Sequence, residues 1–274
     1  MSRPLFSVIV RTKDRPGYLR EALGGLKEQR LRDFEAVVVN DGADVGEVIR
    51  EFKGVVPIRY FHGDFPHGRC SAANKGIGES RGKYLAWLDD DDLYYPDHLE
   101  TVAEVLERGD HAAVYTDAWC VSQRRVPGTE RYETVRKEVR LSYDFDRTRF
   151  FQEGFLHLVT FAHRRECTER LGGFDESLPV LEDLDFFFRL SQDYDFLHIK
   201  KVTGEYRIRD DGTNAVTAMR KEFEETRRFL VSKYFHTLLP ELIKYITQKD
   251  WLVEDLMRRV QLLEQRLSER DERP

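Results

Sequence analysis

Lys83-Tyr84-Leu85-Ala86-Trp87-Leu88-Asp89-Asp90-Asp91-Asp92 is a short apolar run that ends in four acids. A run of this length, rich in aromatic and branched residues, reads as a buried strand. Four carboxylates at one strand end repel one another unless a cation sits among them. Hard divalent ions such as Mg2+ and Mn2+ take oxygen ligands and keep positions open for phosphates. The stretch therefore reads as a place where an ion and a nucleotide diphosphate meet a sheet edge. The plainer alternative is a solvated acidic turn, because Asp caps helices well and Tyr95-Pro96-Asp97 opens a helix just after.

The residues before it favour the first reading. Phe6-Ser7-Val8-Ile9-Val10 is a β-branched run suited to a parallel strand buried on both faces. It stops at the polar loop Arg11–Pro16, and a helix starts at Pro16. Phe34–Val39 repeats the pattern and stops at Asn40-Asp41-Gly42-Ala43-Asp44, a turn-rich cluster. A short helix over 45–52, a strand Ile58–Phe61 and a helix opened by Gly68-Arg69 lead into the acid-ended strand. This β-α-β-α-β-α-β order implies a parallel sheet with helices on both faces and right-handed crossovers. Ligands of such sheets bind beyond the carboxyl ends of the strands. The polar clusters 12–15, 40–44 and 89–92 all fall at such ends. No GxGxxG follows the first strand, which argues against a dinucleotide-binding Rossmann domain.

Further on, the sequence predicts a helix over His98–Arg108, a strand Ala112–Asp117, and edge strands or a hairpin within the charged stretch 123–146. It predicts a strand over Phe155–His163, a helix Arg165–Leu171 ended by Gly172-Gly173, and a helix from Leu181 with acids in its first turn. Two strands, Phe196–Ile199 and Thr203–Ile208, precede helix from about Val216 onward.

The chain has 274 residues, 34% charged and 41% hydrophobic, in keeping with a globular protein of one large or two small domains. No window approaches the roughly 20 apolar residues that span a bilayer, and no secretory signal is expected at Met1–Phe6. Cys70, Cys120 and Cys167 lie far apart without a CxxC, which argues against a disulfide framework or zinc site and for a reducing cytosol. The net charge of -6 does not suit a nucleic-acid binder.

Val8–Pro16, Asn40-Asp41-Gly42, Leu88–Asp92, Gly172-Gly173-Phe174-Asp175-Glu176 and Glu182-Asp183 occur in this order. Over about residues 5–210 the set resembles the family 2 glycosyltransferases. The resemblance implies a GT-A fold: an α/β, Rossmann-like, mostly parallel sheet flanked by helices. A GT-A domain over 1–215 is expected, with 1–118 as the nucleotide-binding half and 119–215 as the acceptor and catalytic half. A helical extension over 216–274 follows. It implies a metal-dependent, hexosyltransferase-like enzyme using Mn2+ or Mg2+. A sugar passes, with inversion, from a nucleotide-diphosphate donor, UDP-sugar first, to a hydroxyl of a saccharide or lipid-linked acceptor. The setting implied is cell-surface polysaccharide synthesis in the cytoplasm, at the inner face of the plasma membrane.

Residue by residue, the resemblance places Thr12, Asp14 and Arg15 in the loop bordering the nucleotide. Asp41 accepts a hydrogen bond from the base; its plainer role is a turn former. Arg69 and Asn74 sit on the helix facing base and ribose, and Arg69 is equally readable as an exposed helix residue. Asp89 and Asp91 match an Asp-X-Asp motif, Asp89 toward the ribose and Asp91 on the metal. Asp90 and Asp92 leave the choice of acid open, and Asp90 joins the nucleotide set. Asp183 is the general base, with Glu182 as fallback; the plainer reading is acids favoured by a helix dipole. Where many members carry a His after Tyr-Arg-Ile, Arg209 stands here. Arginine cannot ligate a metal while charged but grips phosphate, so Arg209 or a closing segment 210–214 is expected on the diphosphate.

Val253, Leu256, Val260, Leu263 and Leu267 make an a/d stripe of about two heptads, which allows a homodimer through the C-terminal helix, a longer rod, or packing on the domain. Leu238–Trp251 is more apolar and allows peripheral membrane association. Two other readings stay open. A nucleotidyltransferase would share the sheet and metal, but the loop 11–16 lacks glycines. A non-catalytic scaffold with an oligomerising tail would not need the acids.

Overall fold

The computed structural model describes residues 3–271 apart from 64, 66, 130, 210 and 212–218; the side chain of 152 and most of those after 240 are also outside the description. The expected closing segment 210–214, apart from Asp211, and the side chains of the heptad stripe lie outside the described residues.

The chain begins β1 (Phe6–Thr12), α1 (Pro16–Lys27), β2 (Phe34–Asn40), α2 (Gly46–Glu51), β3 (Ile58–His62), α3 (Arg69–Glu79) and β4 (Tyr84–Asp89). β1 lies between β2 and β4, β3 flanks β2, and all four are parallel. Both faces of these strands are buried, and the side chains alternate. Val8, Val10, Ala36, Val38, Ala86 and Leu88 pack on one face with Leu19, Leu23 and Leu26 of α1. On the other face, Val37 and Val39 pack with Ala72 of α3. Period-two alternation under helices on both faces is why the strands read as continuous apolar runs.

The second half continues β5 (Leu93–Tyr94), α4 (His98–Arg108), β6 (Ala113–Arg125), β7 (Tyr132–Glu138), α5 (Arg147–Glu153), a 3-10 turn (Leu158–Thr160), β8 (Phe161–Arg164), α6 (Arg165–Leu171), α7 (Glu182–Asp193), β9 (Phe196–Arg209) and α8 (Arg220–Asp271). Among the described residues the sheet runs β3-β2-β1-β4-β8-β6-β9-β5, with β7 paired to β6 as a hairpin. β8 is antiparallel to β4 and β6.

Two expectations are corrected and one short strand is added. Phe155–His163 is not one strand: Thr160 N and Oγ1 both donate to His157 O and close a turn before β8. Phe196–Ile199 and Thr203–Ile208 are one strand. Its pairing with β6 shifts register on both sides of Asp117, from Thr116↔Ile199 to Asp117↔Val202, and the two lysines between look like a break in sequence. β5, two residues long, pairs Leu93 with Glu205 and carries no periodic signal. Beside the shift, His198 reaches Asp117 at 2.8 Å and Asp144 at 3.2 Å, tying the segment after β7 to the sheet.

The chain divides into two compact units, residues 1–227 and 228–274. Within the described residues no helix is long and apolar enough to cross a membrane.

Candidate active site

The register of β1 on β4 sets Arg11 opposite Asp89. The guanidinium grips that carboxylate with two hydrogen bonds, Nε to Oδ1 and Nη2 to Oδ2, each 2.7 Å. Nη1 reaches Glu182 Oε1 at 3.2 Å. Burial pushes Asp89 up, but the charge and hydrogen bonds of Arg11 outweigh it and hold Asp89 below its ordinary pKa. Arg11 itself is held charged by Asp89 and Glu182 against the desolvation of its site.

The next acids separate by direction. Asp90 is fully buried. Thr12 Oγ1 donates to it at 2.7 Å, and Arg15 Nη2 lies 2.5 Å from its Oδ1. Burial, with the charge of Asp91 beside it, raises Asp90 to about 7 against the pull of Arg15. Thr12 and Asp90, expected against the nucleotide, join the β1 loop to the end of β4. Asp91 Oδ2 accepts from two guanidinium groups, Arg15 Nη1 at 3.0 Å and Arg209 Nη1 at 3.1 Å. Arg209 is fully buried, with its guanidinium carbon 4.1 Å from the centre of the Tyr18 ring and 5.3 Å from that of Tyr132. Asp92 is raised well above its ordinary value by burial and by the charges of Asp91 and Asp89.

At the end of β2, Asp41 Oδ1 meets His67 Nδ1 at 2.6 Å. Its Oδ2 accepts from Lys13 Nζ and the Gly68 amide, both at 3.1 Å. Burial raises Asp41, yet these hydrogen bonds outweigh it and the carboxylate sits below its ordinary pKa. Asp14 has a left-handed backbone, φ 54°, and its Oδ1 accepts from Ala43 N at 2.7 Å. A Cβ on Gly42 would overlap the Asp14 side chain, so the β1 and β2 loops interlock there. Asp14 therefore binds the two loops to each other.

The opposite wall comes from the start of α7. Leu181, its N-cap, is a non-glycine residue at φ 58°, ψ 26°, a conformation of the kind that concentrates at functional sites. Glu182 is buried and faces Arg11 and, at 3.5 Å, Arg69. Asp183 Oδ1 accepts from Leu184 N at 2.8 Å. Burial first, then the charge of Glu182, raises Asp183 to about 6. A cleft of about 390 Å³ lies here, lined by Arg11, Arg69, Asp89, Asp92, Glu182 and Asp183 among others, with His157 stacked on Tyr206 at 4.0 Å in its wall.

Asn74 is not on the cleft. Its amide donates to Phe174 O at 3.0 Å and Glu176 Oε1 at 2.8 Å, and its Oδ1 accepts from Phe174 N at 2.7 Å. It holds the Gly172–Glu176 segment, which leads to α7, against α3. Lys13, His67, Tyr18 and Tyr132 were not singled out in the sequence. His67-Gly68 immediately before α3 was the available signal for one of them. Tyr132, far along the chain from Arg209, had none.

Among the described residues no group of three or more His, Cys, Asp or Glu side chains forms a ready metal cage. The donor chemistry nevertheless fits a hard divalent cation. Asp89, Asp91 and Asp92 offer carboxylate oxygens, their mutual repulsion raises Asp92, and Mg2+ or Mn2+ needs only one or two carboxylates when phosphates complete the shell.

The sequence profile of the glycosyl transferase family 2 matches residues 7–172. The "Uncharacterized glycosyltransferase YwdF" of Bacillus subtilis (strain 168) is 28% identical over 224 residues, covering 79% of this chain and 80% of that protein. The "Uncharacterized glycosyltransferase RP339" of Rickettsia prowazekii (strain Madrid E) is 31% identical, covering 70% and 61%. Among solved structures, Staphylococcus aureus TarS 1–349 superposes with TM-score 0.61 at 20% identity, covering 74% of this chain and 60% of that one. The mannosyltransferase PcManGT of Pyrobaculum calidifontis, in complex with GDP-Man and Mn2+, gives 0.58 at 20% identity, covering 83% and 65%. The chain thus spans roughly 60–65% of several matched proteins, and at these identities the structural likeness speaks for the fold. The chain has the GT-A fold and belongs to glycosyl transferase family 2.

Proposed function

We propose that the chain transfers a sugar, with inversion, from a nucleotide-diphosphate donor to a hydroxyl of a saccharide or lipid-linked acceptor. The observation that carries this reading is Asp183, a half-buried carboxylate raised to about 6 on the wall of a cleft that Asp89 and Asp92 also line. An acid near neutrality is suited to take a proton from a hydroxyl. The acceptor oxygen attacks the anomeric carbon and its proton passes to Asp183. The bond from that carbon to the phosphate oxygen breaks, and the nucleoside diphosphate leaves with the electron pair. Glu182 is the fallback base, although its contacts with Arg11 and Arg69 suit a positioning role.

Arg15 and Arg209 would supply positive charge to the diphosphate, and Asp91, with Asp89 or Asp92, would hold Mn2+ or Mg2+. That ion, when bound, offsets the charge that develops on the leaving group. Asp41, kept ionised by its partners, accepts from a ring N–H of the base, and its Oδ1, which meets His67, retains a lone pair for it. Arg69 borders the ribose. TarS has been solved with UDP-GlcNAc and PcManGT with GDP-Man, so uridine and guanosine donors come first. A cytoplasmic setting, with cell-surface polysaccharide as product, suits three free, buried cysteines. A catalytic domain over 1–215 with a helical extension completes the reading.

Titration calorimetry with UDP, GDP and dTDP, each with Mn2+ and with EDTA, tests it. Metal-dependent binding of one nucleotide, weakened at least tenfold in Asp91→Asn, is expected. No binding of any of the three would overturn the donor site and return the chain to a scaffold.

A further inference from the structure

The long helix carries a pattern that the transferase site does not use. In the register of Val253, Leu256, Val260, Leu263 and Leu267, the same a/d spacing extends backwards through Ile246, Leu242, Leu239 and Phe235. The a positions are Leu239, Ile246, Val253, Val260 and Leu267; the d positions are Phe235, Leu242, Lys249, Leu256 and Leu263. Nine of these ten are apolar, over more than four heptads and, at 1.5 Å per residue, about 50 Å of helix. The described members of this face are exposed: Phe235 at 43%, Leu239 at 37% and Ile246 at 56%. An exposed apolar face on a sustained heptad calls for a helical partner.

Charge identifies the partner. In the last heptads Arg259 and Arg266 stand at the flanking g positions and Glu264 and Asp271 at the e positions, whereas the earlier g positions are Leu238, Tyr245 and Leu252. In a parallel, in-register pair, g of one helix meets e of the next heptad on the other, five residues on. Arg259 then meets Glu264 and Arg266 meets Asp271, each twice. In an antiparallel pair g meets g and e meets e, and the same residues repel. β-branched residues at three a positions, Ile246, Val253 and Val260, with Leu at d positions 242, 256 and 263, favour two strands over three or four. Lys249, the one polar seam position, disfavours shifted registers that would oppose it to leucine. Pro240 stands at a b position, outside the seam, so the seam from Leu242 onward needs nothing from the turn it interrupts.

We infer that the chain is a homodimer, joined through a parallel two-stranded coiled coil over Phe235–Leu267, with a second copy of itself as the partner. The inference is independent of donor chemistry, because its test reads mass.

The full chain is measured by size exclusion with light scattering. A mass twice 32.3 kDa is expected, falling to 32.3 kDa in Leu256→Glu/Leu263→Glu with the near-ultraviolet dichroism of the aromatic-rich catalytic unit unchanged. Arg259→Glu/Arg266→Glu and Glu264→Lys/Asp271→Lys each set like charges across the seam and should each weaken dimerisation at least tenfold. Mixing the two should restore a dimer, since every g–e pair is then opposite in sign. A monomeric full chain overturns the inference, as does a monomer that pellets with anionic phosphatidylglycerol vesicles, which would make the face a membrane surface. A dimer whose two charge variants fail to rescue each other overturns the parallel arrangement.

Discussion

Replacing Gly173 with Ala should cost the catalytic unit about as much as replacing Asn74 with Ala, and making both changes should cost no more than either. A Cβ on Gly173 would overlap Asn74 Oδ1, the oxygen that accepts from Phe174 N. The cheapest escape is for the Asn74 amide to swing away, and that releases three hydrogen bonds, to Phe174 N, Phe174 O and Glu176. Two of these are to backbone, at about 1 kcal/mol each. The third is to an exposed carboxylate that Ser71 Oγ also holds at 2.8 Å, so it adds less. The sum is about 2–3 kcal/mol for Asn74→Ala. That sum is also the ceiling for Gly173→Ala, because overpacking relieved by one side chain cannot exceed the loss of that side chain's bonds. For a unit of 227 residues, each kcal/mol lowers Tm by about 2–4 °C, so a drop of about 4–12 °C is expected for each single change. The double variant should match the singles, giving a coupling of about 2 kcal/mol instead of additivity. Thermal unfolding followed by circular dichroism on the four proteins reads this directly. Additive losses, or a Gly173→Ala variant as stable as the parent, would refute the claim that Asn74 clamps the Gly172–Glu176 segment.

The remaining expectations concern charge. Transfer should rise with pH through an apparent pKa near 6, because Asp183 must be ionised to accept a proton and burial with Glu182 holds it at about 6. In Glu182→Gln one of the causes that raise it is gone, so the acid limb should move to lower pH; an unmoved limb would exclude Asp183, and abolished activity at every pH would point to Glu182 itself. Arg11→Met leaves Asp89 and Glu182 without their shared cation. Chemical denaturation at pH 8 should show a loss of about 3–5 kcal/mol, shrinking at pH 3, since Asp89, whose folded pKa is lowered, contributes stability above its unfolded pKa and loses it as pH falls. Equal losses at both pH values would contradict it. Asp41→Asn should weaken UDP binding about tenfold or more in calorimetry while leaving inorganic pyrophosphate binding unchanged; parallel loss of both would mean that Asp41 acts through the loop alone.

The sheet was legible because Val8–Val10, Ala36–Val39 and Tyr84–Leu88 are apolar on both faces, and only helices on both sides of parallel strands provide that burial. The carboxyl-end clusters then follow from direction alone. What sequence order could not carry was pairing between distant elements. Asn74 looked like a helix residue facing a ligand, and nothing local marks its partners a hundred residues on. Arg209 stood out as a replacement for His, but the Tyr18 and Tyr132 rings around it are brought together only by the hairpin and α1. β9 reads as two strands in the sequence because a register shift beside Asp117 leaves Lys200 and Lys201 over as an apparent break.

The four acids are a different case, since their division was within reach of the pattern. Along β4, Tyr84, Ala86 and Leu88 share the face packed against α1, while Trp87 stacks edge-on with Phe174 and Phe186 on the other. Continuing the two-residue period, Asp90 falls with Leu88, toward the core, and Asp89 with Trp87. Asp90 is indeed fully buried, and a buried carboxylate needs partners. It has them in Thr12 and Arg15, from the loop next in the sheet. Asp89, on the opposite face, is left for Arg11 and the cleft. One acid of the run is thus a structural anchor because of parity. A carboxylate at position 90 also makes the β1 loop's placement depend on charge: it draws Arg15 down, and Arg15 in turn meets Asp91. The run of four is therefore two systems, an inward one that sets where the loop lies and an outward one that faces the cleft, and exchanging Asp89 with Asp90 in function would require shifting the strand by one residue.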